Sequence, residues 1–185
     1  MQDLNDFLSR YSNRDGKDPL RIDSKNNKGE TPLHFAVFQA GCYEQKAHET
    51  SIITTKNSYI NLCKIFLSKA KKLVIAGANI NEKSNAETTA LIVAFLQHKA
   101  TNTIKYILKF PHIDVTVKNK EQLTALEIVA YNNHTGVLAL LLEKVNMNSR
   151  KHVKAVNDAY QLAKETPSSQ DAKKLLKQKL KARYN

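Results

Sequence analysis

The chain has 185 residues, of which 42% are hydrophobic and 25% charged, and its formal net charge is +12. This composition is typical of a folded, soluble domain and excludes a disordered chain, and no apolar run reaches the roughly 18 residues of a membrane span. The two cysteines, Cys42 and Cys63, are too few for a disulfide framework and lack metal-ligand spacing, so we expect free thiols, no metal and a reducing, cytoplasmic compartment.

The N-terminal segment, residues 1–25, is predicted to form a capping helix and a turn. Four apolar residues recur there at helical spacing: Leu4, Phe7, Leu8 and Tyr11. A polar turn, SNRDGKDP, follows them. The first ten residues are acidic and polar where a secretory signal would be basic and then apolar, which also favours an intracellular protein.

A seven-residue pattern recurs along the chain, and its three stronger copies open on Thr. The best copy is TPLHFAV at 31–37, and weaker copies are TALIVAF at 89–95, TALEIVA at 124–130 and DAYQLAK at 158–164. Their first residues are 58, 35 and 34 positions apart, and the last two steps are close to a repeat of about 33 residues. Each strong copy predicts a helix start, because a Thr can accept a backbone N–H as N-cap and Pro32 needs no N–H there.

A second pattern alternates small or polar residues with apolar ones beside the helical segments. AGANIN at 76–81 and HIDV at 112–115 carry it after a helix, and LRID at 20–23 carries it ahead of the first copy. With VLALLLEK at 137–144, these marks make nearly the whole chain resemble the ankyrin repeat family. The resemblance implies an all-α solenoid of stacked helix-turn-helix units joined by hairpin-like loops, with capping helices at both ends.

The copies divide the chain into units. We predict repeat 1 at 26–84 with an insertion at about 42–58, repeat 2 at 85–117, repeat 3 at 118–149 and a divergent, basic capping repeat at 150–185. In repeat 1 the first helix is expected from Pro32 to about Ala40 and the second to end at Gly77. Insertions in repeat arrays map to loops. The inserted stretch is polar, and it is open whether such a loop is functional or merely tolerated.

The last unit is predicted to pair a helix from about Val153 to Glu165 with one from Ser169 to about Arg183, the second opened by a Ser168–Asp171 capping box. Residues 150–185 hold ten Lys or Arg against three Asp or Glu, which gives this end +7 and leaves +5 for the rest. Such a charge fits an acidic partner, nucleic acid included. A solvated cap is the favoured interpretation, since aromatic residues do not alternate with the lysines and no nucleic-acid-binding motif occurs.

Function is predicted from the resemblance, which implies partner binding on a concave surface of hairpin tips and first helices. Phe38, Leu96 and Tyr131 would form an apolar ladder there, unless they pack beneath the next unit as core. Glu87 and Gln122 stand where the family has a turn glycine, so we expect those two turns to differ in shape. The predicted partner-binding residues are Asn27, Lys28, Glu30, Phe38, Gln39, Asn85, Thr88, Leu96, Gln97, Lys120, Leu123, Tyr131 and Asn132.

We therefore predict a non-catalytic, monomeric adaptor or scaffold that binds a protein, with no cofactor and no membrane partner. The sequence has no phosphate loop, nucleophile elbow or HExxH, and a Cys42–His48 pair is its one hint of catalysis. His34 is expected to bond a neighbouring turn. The abundance of Lys, Asn and Ile resembles small ankyrin proteins that intracellular bacteria deliver into host cells, which would place the chain in the host cytoplasm; an ordinary cytosolic adaptor is the alternative.

Overall fold

The computed structural model describes residues 22–95 and 100–182, so the N-terminal helix predicted within residues 1–25 lies outside them. The helices in chain order are α1 (Pro32–Glu49), α2 (Ile53–Ile75), α3 (Ala90–Phe95), α4 (Thr101–Ile107), α5 (Ala125–Tyr131), α6 (Thr135–Glu143), α7 (Arg150–Glu165) and α8 (Gln170–Lys181). A short 3-10 turn, Pro167–Ser169, precedes α8. Over these residues helices alternate with turns and no strand forms, so the predicted all-α fold is confirmed.

The chain divides into two compact units, residues 1–112 and 113–185. In the first unit α1 packs against α2 and α3, and α4 contacts all three. The core is built from small and aliphatic side chains, among them Leu33, Ala36, Val37, Ala70, Leu73, Leu91 and Ile107. In the second unit α5 packs against α6, α7 and α8, around Leu126, Leu138, Leu141, Val156 and Leu176.

Helix α1 starts at the predicted residue, but it ends nine residues beyond the predicted end. Thr31 is its N-cap and Pro32 its first residue, but the helix runs to Glu49 and not to about Ala40. The reason is that its buried stripe continues through Ala40, Glu44 and Ala47 at spacings of four and three residues. The expectation of an inserted loop is therefore wrong: residues 42–49 extend α1, residues 53–58 extend α2, and only residues 50–52 connect them.

Helix α2 ends close to the predicted Gly77. Its last residue is Ile75, and Gly77 has φ 99°. The N–H of Gly77 donates to Val74 O at 3.0 Å and that of Ala78 to Leu73 O at 2.9 Å. This pair of bonds is a Schellman motif, which needs a left-handed residue and explains the glycine.

The turns at residues 26–30, 84–88 and 119–123 share one conformation, which corrects the expectation that two of them differ. Gly29, Glu87 and Gln122 have φ of 69°, 54° and 62°. Their N–H groups donate to the residue three positions earlier at 2.8, 2.9 and 3.0 Å. The hydrogen bonds of the turn thus hold a Glu and a Gln in a conformation that glycine adopts more readily.

The capping box predicted at Ser168 and Asp171 is wrong. Ser169 is the N-cap of α8 and makes no side-chain cap bond, because its hydroxyl donates instead to Tyr131 O at 2.8 Å. The N–H of Ala172 donates to Asn133 Oδ1 at 3.0 Å, so a residue beyond α5 satisfies the start of α8. Of the predicted inward residues, Ala172 and Leu176 are fully buried, and Leu175 and Leu180 are half-buried.

Candidate partner-binding surface

Two turns of the first unit lie side by side and are joined by the backbone. The N–H of Asn85 donates to Lys28 O at 3.0 Å, and its side-chain Nδ2 donates to Asn27 O at 3.1 Å. All three residues are exposed. The structure therefore brings Asn27, Lys28 and Asn85, which the sequence predicted as site residues, into one polar patch, here called the turn patch.

Gly29 permits this close approach. A Cβ at Gly29 would lie 2.6 Å from Asn85 N, where no real Cβ fits, and the residue also has φ 69°. Glycine is thus required twice at this position, by conformation and by space. The turn copy that matches the family pattern best is thus one whose glycine lies directly against another turn.

Side chains within each turn hold it in shape. Asn26 Oδ1 accepts from Lys28 N at 2.9 Å and Glu30 N at 3.0 Å, and its Nδ2 donates to a Glu30 carboxylate oxygen at 2.8 Å. In the second turn the hydroxyls of Ser84 and Thr88 lie 2.8 Å apart. Glu30 and Thr88, both predicted as contact residues, are half-buried and use their side chains inside the turns.

His34, on α1, forms a hydrogen bond to the second turn, at residues 84–88. It is 2% exposed, and its Nδ1 accepts from Thr31 N–H at 3.2 Å, so the ring proton is on Nε2, which donates to Thr88 O at 2.8 Å. Burial lowers the pKa of the imidazole below its usual 6.5, against smaller opposing effects of the Thr88 bond and of Glu30 and Glu82. The expected bond from His34 to a neighbouring turn is confirmed.

The ladder residues are described only in part. Phe38 on α1 is 40% exposed and Gln39 beside it is half-buried. Leu96 and Gln97 lie outside the described residues. Phe38 is a surface residue within its own unit, which favours the interface alternative over the core alternative at that position.

In the second unit, Tyr131 is the last residue of α5 and is 54% exposed. Its carbonyl accepts the Ser169 hydroxyl, so the backbone that carries the ring is fixed. Asn132 is exposed, and its Nδ2 donates to Ile128 O at 2.8 Å. Of the two predicted residues in the turn at 119–123, Lys120 is exposed and Leu123 is half-buried.

Sequence reasoning missed Glu44, which belongs to the predicted insertion. Its carboxylate is 5% exposed and accepts from Asn102 N at 2.7 Å, Thr103 N at 2.8 Å and the Thr103 hydroxyl at 2.8 Å. The two N–H groups belong to the first turn of α4, where backbone N–H groups have no partner within the helix and an anion is favourable. The one local signal was an acid between Ala40 and Ala47 on an otherwise apolar stripe.

In residues 22–95 and 100–182, the cysteines and histidines do not assemble a reactive group. Burial raises the pKa of the Cys42 and Cys63 thiols, more than the nearby lysines lower it, which disfavours the nucleophilic thiolate. His48 is exposed at the end of α1. Among the described residues, no three His, Cys, Asp or Glu could hold a metal ion, and none of the described helices is both long and apolar enough to cross a membrane.

Comparison with known proteins identifies a family. A family model for ankyrin repeats matches residues 52–152 in three copies, which is more than half of the chain. The matched residues contain α2 to α6, and they begin after the TPLHFAV copy on α1. The curated proteins gave no match.

Proposed function

Since the chain belongs to the ankyrin repeat family, whose repeats are generally protein–protein interaction modules, we propose that it is a non-catalytic adaptor that binds one protein partner. In the first unit the binding residues are the turn patch and the exposed ring of Phe38, and in the second unit the exposed ring of Tyr131. The observation that carries this proposal is the hydrogen-bonded pairing of two exposed turns. It supports a surface that exists before the partner arrives.

A preformed surface binds with little loss of conformational entropy. Asn85 bridges the turns through two bonds, and His34 holds the second turn at the Thr88 carbonyl, so the tips are restrained from both sides. Their exposed Asn and Lys side chains can donate to acceptors of a partner. These polar contacts would set specificity, whereas exposed aromatic rings would supply most of the binding energy.

The raised pKa of both thiols disfavours a Cys42 thiolate nucleophile, the one hint of catalysis in the sequence. The resemblance in composition to delivered ankyrin proteins adds a narrower proposal, that the partner is a host protein in the host cytoplasm. An adaptor that stays in the cytosol of its own cell is the alternative.

The test is an affinity capture from cell lysate that compares four proteins: wild type, Phe38→Ala, Tyr131→Ala and the control Ile65→Ala. Ile65 is also an exposed large apolar residue, but it lies on α2, which contributes no residue to the predicted surface. A partner retained by wild type and control and lost with either aromatic variant supports the proposal. A partner retained equally by all four proteins contradicts it.

Nuclease treatment of the same lysate tests the second candidate, binding of nucleic acid or another acidic partner through the C-terminal helices. Exposed cations on α7 and α8 support it: Arg150, Lys154, Lys164, Lys174, Lys177 and Lys181. Lys174 already pairs with Asp171 at 3.2 Å. Material that is lost on nuclease treatment and kept by both aromatic variants would favour this candidate over the adaptor.

A further inference from the structure

The outward side of α2 is unusual for its exposed isoleucines. Ile53, Ile65 and Ile75 are 73%, 49% and 74% exposed, and Ile52 in the preceding connection is exposed as well. The side of the helix that packs in the unit holds other residues: Cys63, Leu67, Ala70 and Leu73. The isoleucines are therefore not part of the core of the first unit.

Helix α2 itself carries charge of one sign, whereas α1 ends on the exposed Glu49, three residues before Ile52. Residues 50–81 contain five lysines and neither Asp nor Glu. Lys64 and Lys71, seven residues apart on α2, are exposed on the same side as Ile53 and Ile75. Helix α4, which contacts α2, adds the exposed Lys105, the turn after it adds the exposed Lys109, and residues 88–113 also lack an acid.

We propose that this lysine and isoleucine face of α2 and α4 binds peripherally to an anionic phospholipid membrane. Helix α2 has 23 residues and is about 35 Å long, so its cations can meet many headgroups at once. Lysines near an anionic leaflet attract it, each by about a fivefold gain in partition. Ile53 and Ile75, at the two ends of the helix, would enter the boundary between headgroups and acyl chains.

The spacing of the isoleucines favours a membrane over a protein partner. They lie 12 and 10 residues apart, and the exposed residues between them are polar, whereas a docked helix needs apolar contacts every three or four residues. A deformable lipid surface accepts isolated side chains. A second copy of the chain is disfavoured because it would place lysines against lysines.

Nucleic acid is disfavoured by the chemistry of the face. Binding to single strands uses aromatic rings on which bases stack. The aromatic residues of α2 are already engaged, because Tyr59 and Phe66 both stack on Tyr43, with ring centroids 6.2 and 5.7 Å apart. The inference revises the sequence-based expectation of no membrane partner, and it does not depend on the turn patch.

The experiment is flotation of the full chain with vesicles of phosphatidylcholine, with and without phosphatidylserine. Three variants are compared with wild type: Lys64→Gln/Lys71→Gln, Ile53→Ser/Ile75→Ser, and the control Lys144→Gln, which removes an exposed positive charge at the end of α6. All the substituted residues are exposed, and circular dichroism checks that each variant is folded.

Wild type and control should float with the anionic vesicles alone. The lysine variant should lose about 25-fold in partition, at about fivefold for each charge, and the isoleucine variant should also bind more weakly. Equal binding by all four proteins, an equal loss per charge in the control, or binding to neutral vesicles would overturn the proposal. So would capture of a labelled oligonucleotide that depends on the lysines while vesicles fail to bind.

Discussion

His34 shows how one side chain can serve both a helix and the turn of the next repeat. Its backbone N–H donates to Thr31 Oγ1, its Nδ1 accepts from Thr31 N–H, and its Nε2 donates to Thr88 O. In the third copy Glu127 takes the capping role, accepting from Thr124 N at 2.7 Å and its hydroxyl at 2.8 Å. A carboxylate has no proton to donate to a backbone carbonyl. Of these two residues, the histidine alone can therefore cap its helix and also donate to a turn carbonyl such as Thr88 O.

Stability should depend on pH through His34. The folded state lowers its pKa, so below about pH 6.5 the unfolded chain binds more protons and the free energy of unfolding falls as the pH falls. Protonation would also turn Nδ1 into a donor facing the Thr31 N–H. We expect this loss in urea unfolding monitored by circular dichroism between neutral pH and pH values just above the carboxylate range.

The control is His34→Gln, whose amide can accept at one end and donate at the other without titrating. This variant should remove most of the change in the free energy of unfolding between neutral pH and pH values just above the carboxylate range. The lowered pKa of Glu82, held down chiefly by its hydrogen bond from Lys25, acts at lower pH and leaves the window clear. An unchanged slope in the variant would contradict the assignment to His34.

At the level of helices, local motifs predicted where α1 starts but not how far it extends. Thr31 and Thr124 are both N-caps with capping boxes, as a local motif allows one to foresee. The extent of α1 was missed because Gly41 resembles a helix end, yet it is buried within the helix. Whether a helix continues past such a residue depends on the surface it packs against, and the pattern of one segment does not contain that surface.

The same limit hid Glu44, whose partners lie 58 and 59 residues further along the chain. Its carboxylate satisfies two backbone N–H groups of α4 and a buried hydroxyl. The inserted residues therefore join two helix pairs within the first unit. A capping motif inside one helix is visible in sequence, but a cap supplied by another helix is not.

Glu44→Ala should destabilise the first unit by about 1–3 kcal/mol, because it leaves the Asn102 and Thr103 donors unsatisfied, the latter in a buried position. Urea unfolding measures the change. Glu49→Ala is the matched control, since Glu49 is an exposed acid on the same helix and accepts a hydrogen bond from the nearby Gln45. A similar loss in both variants would show that the general loss of charge matters and the cap does not.

At the scale of the whole molecule, the candidate site was predictable in kind but not in detail. The family resemblance indicated turns and first helices, and Asn27, Lys28 and Asn85 do form one patch. Glu30 and Thr88 are predicted contact residues because of their position in the repeat, but their side chains form hydrogen bonds within their own turns. The bonding within a turn depends on which neighbours are Asn or Ser, a choice that a repeat pattern leaves free.

Repeat proteins derive their stability from contacts between neighbouring elements, so a core defect should be felt most strongly near its own position. Leu33 and Leu126 are 1% and 0% exposed and lie in different units. Replacing either by Ala should cost about 2–5 kcal/mol through the lost contacts and the cavity that remains. The two substitutions thus create comparable defects in separate parts of one chain.

Hydrogen exchange followed by mass spectrometry distinguishes local from global effects. Leu126→Ala should accelerate exchange chiefly in residues 113–182, and Leu33→Ala chiefly in residues 22–95 and 100–112. The conservative variants Leu33→Met and Leu126→Met, which nearly preserve volume, should change exchange far less. A uniform acceleration along the chain by either alanine variant would instead show that the two compact units open together, as one cooperative structure.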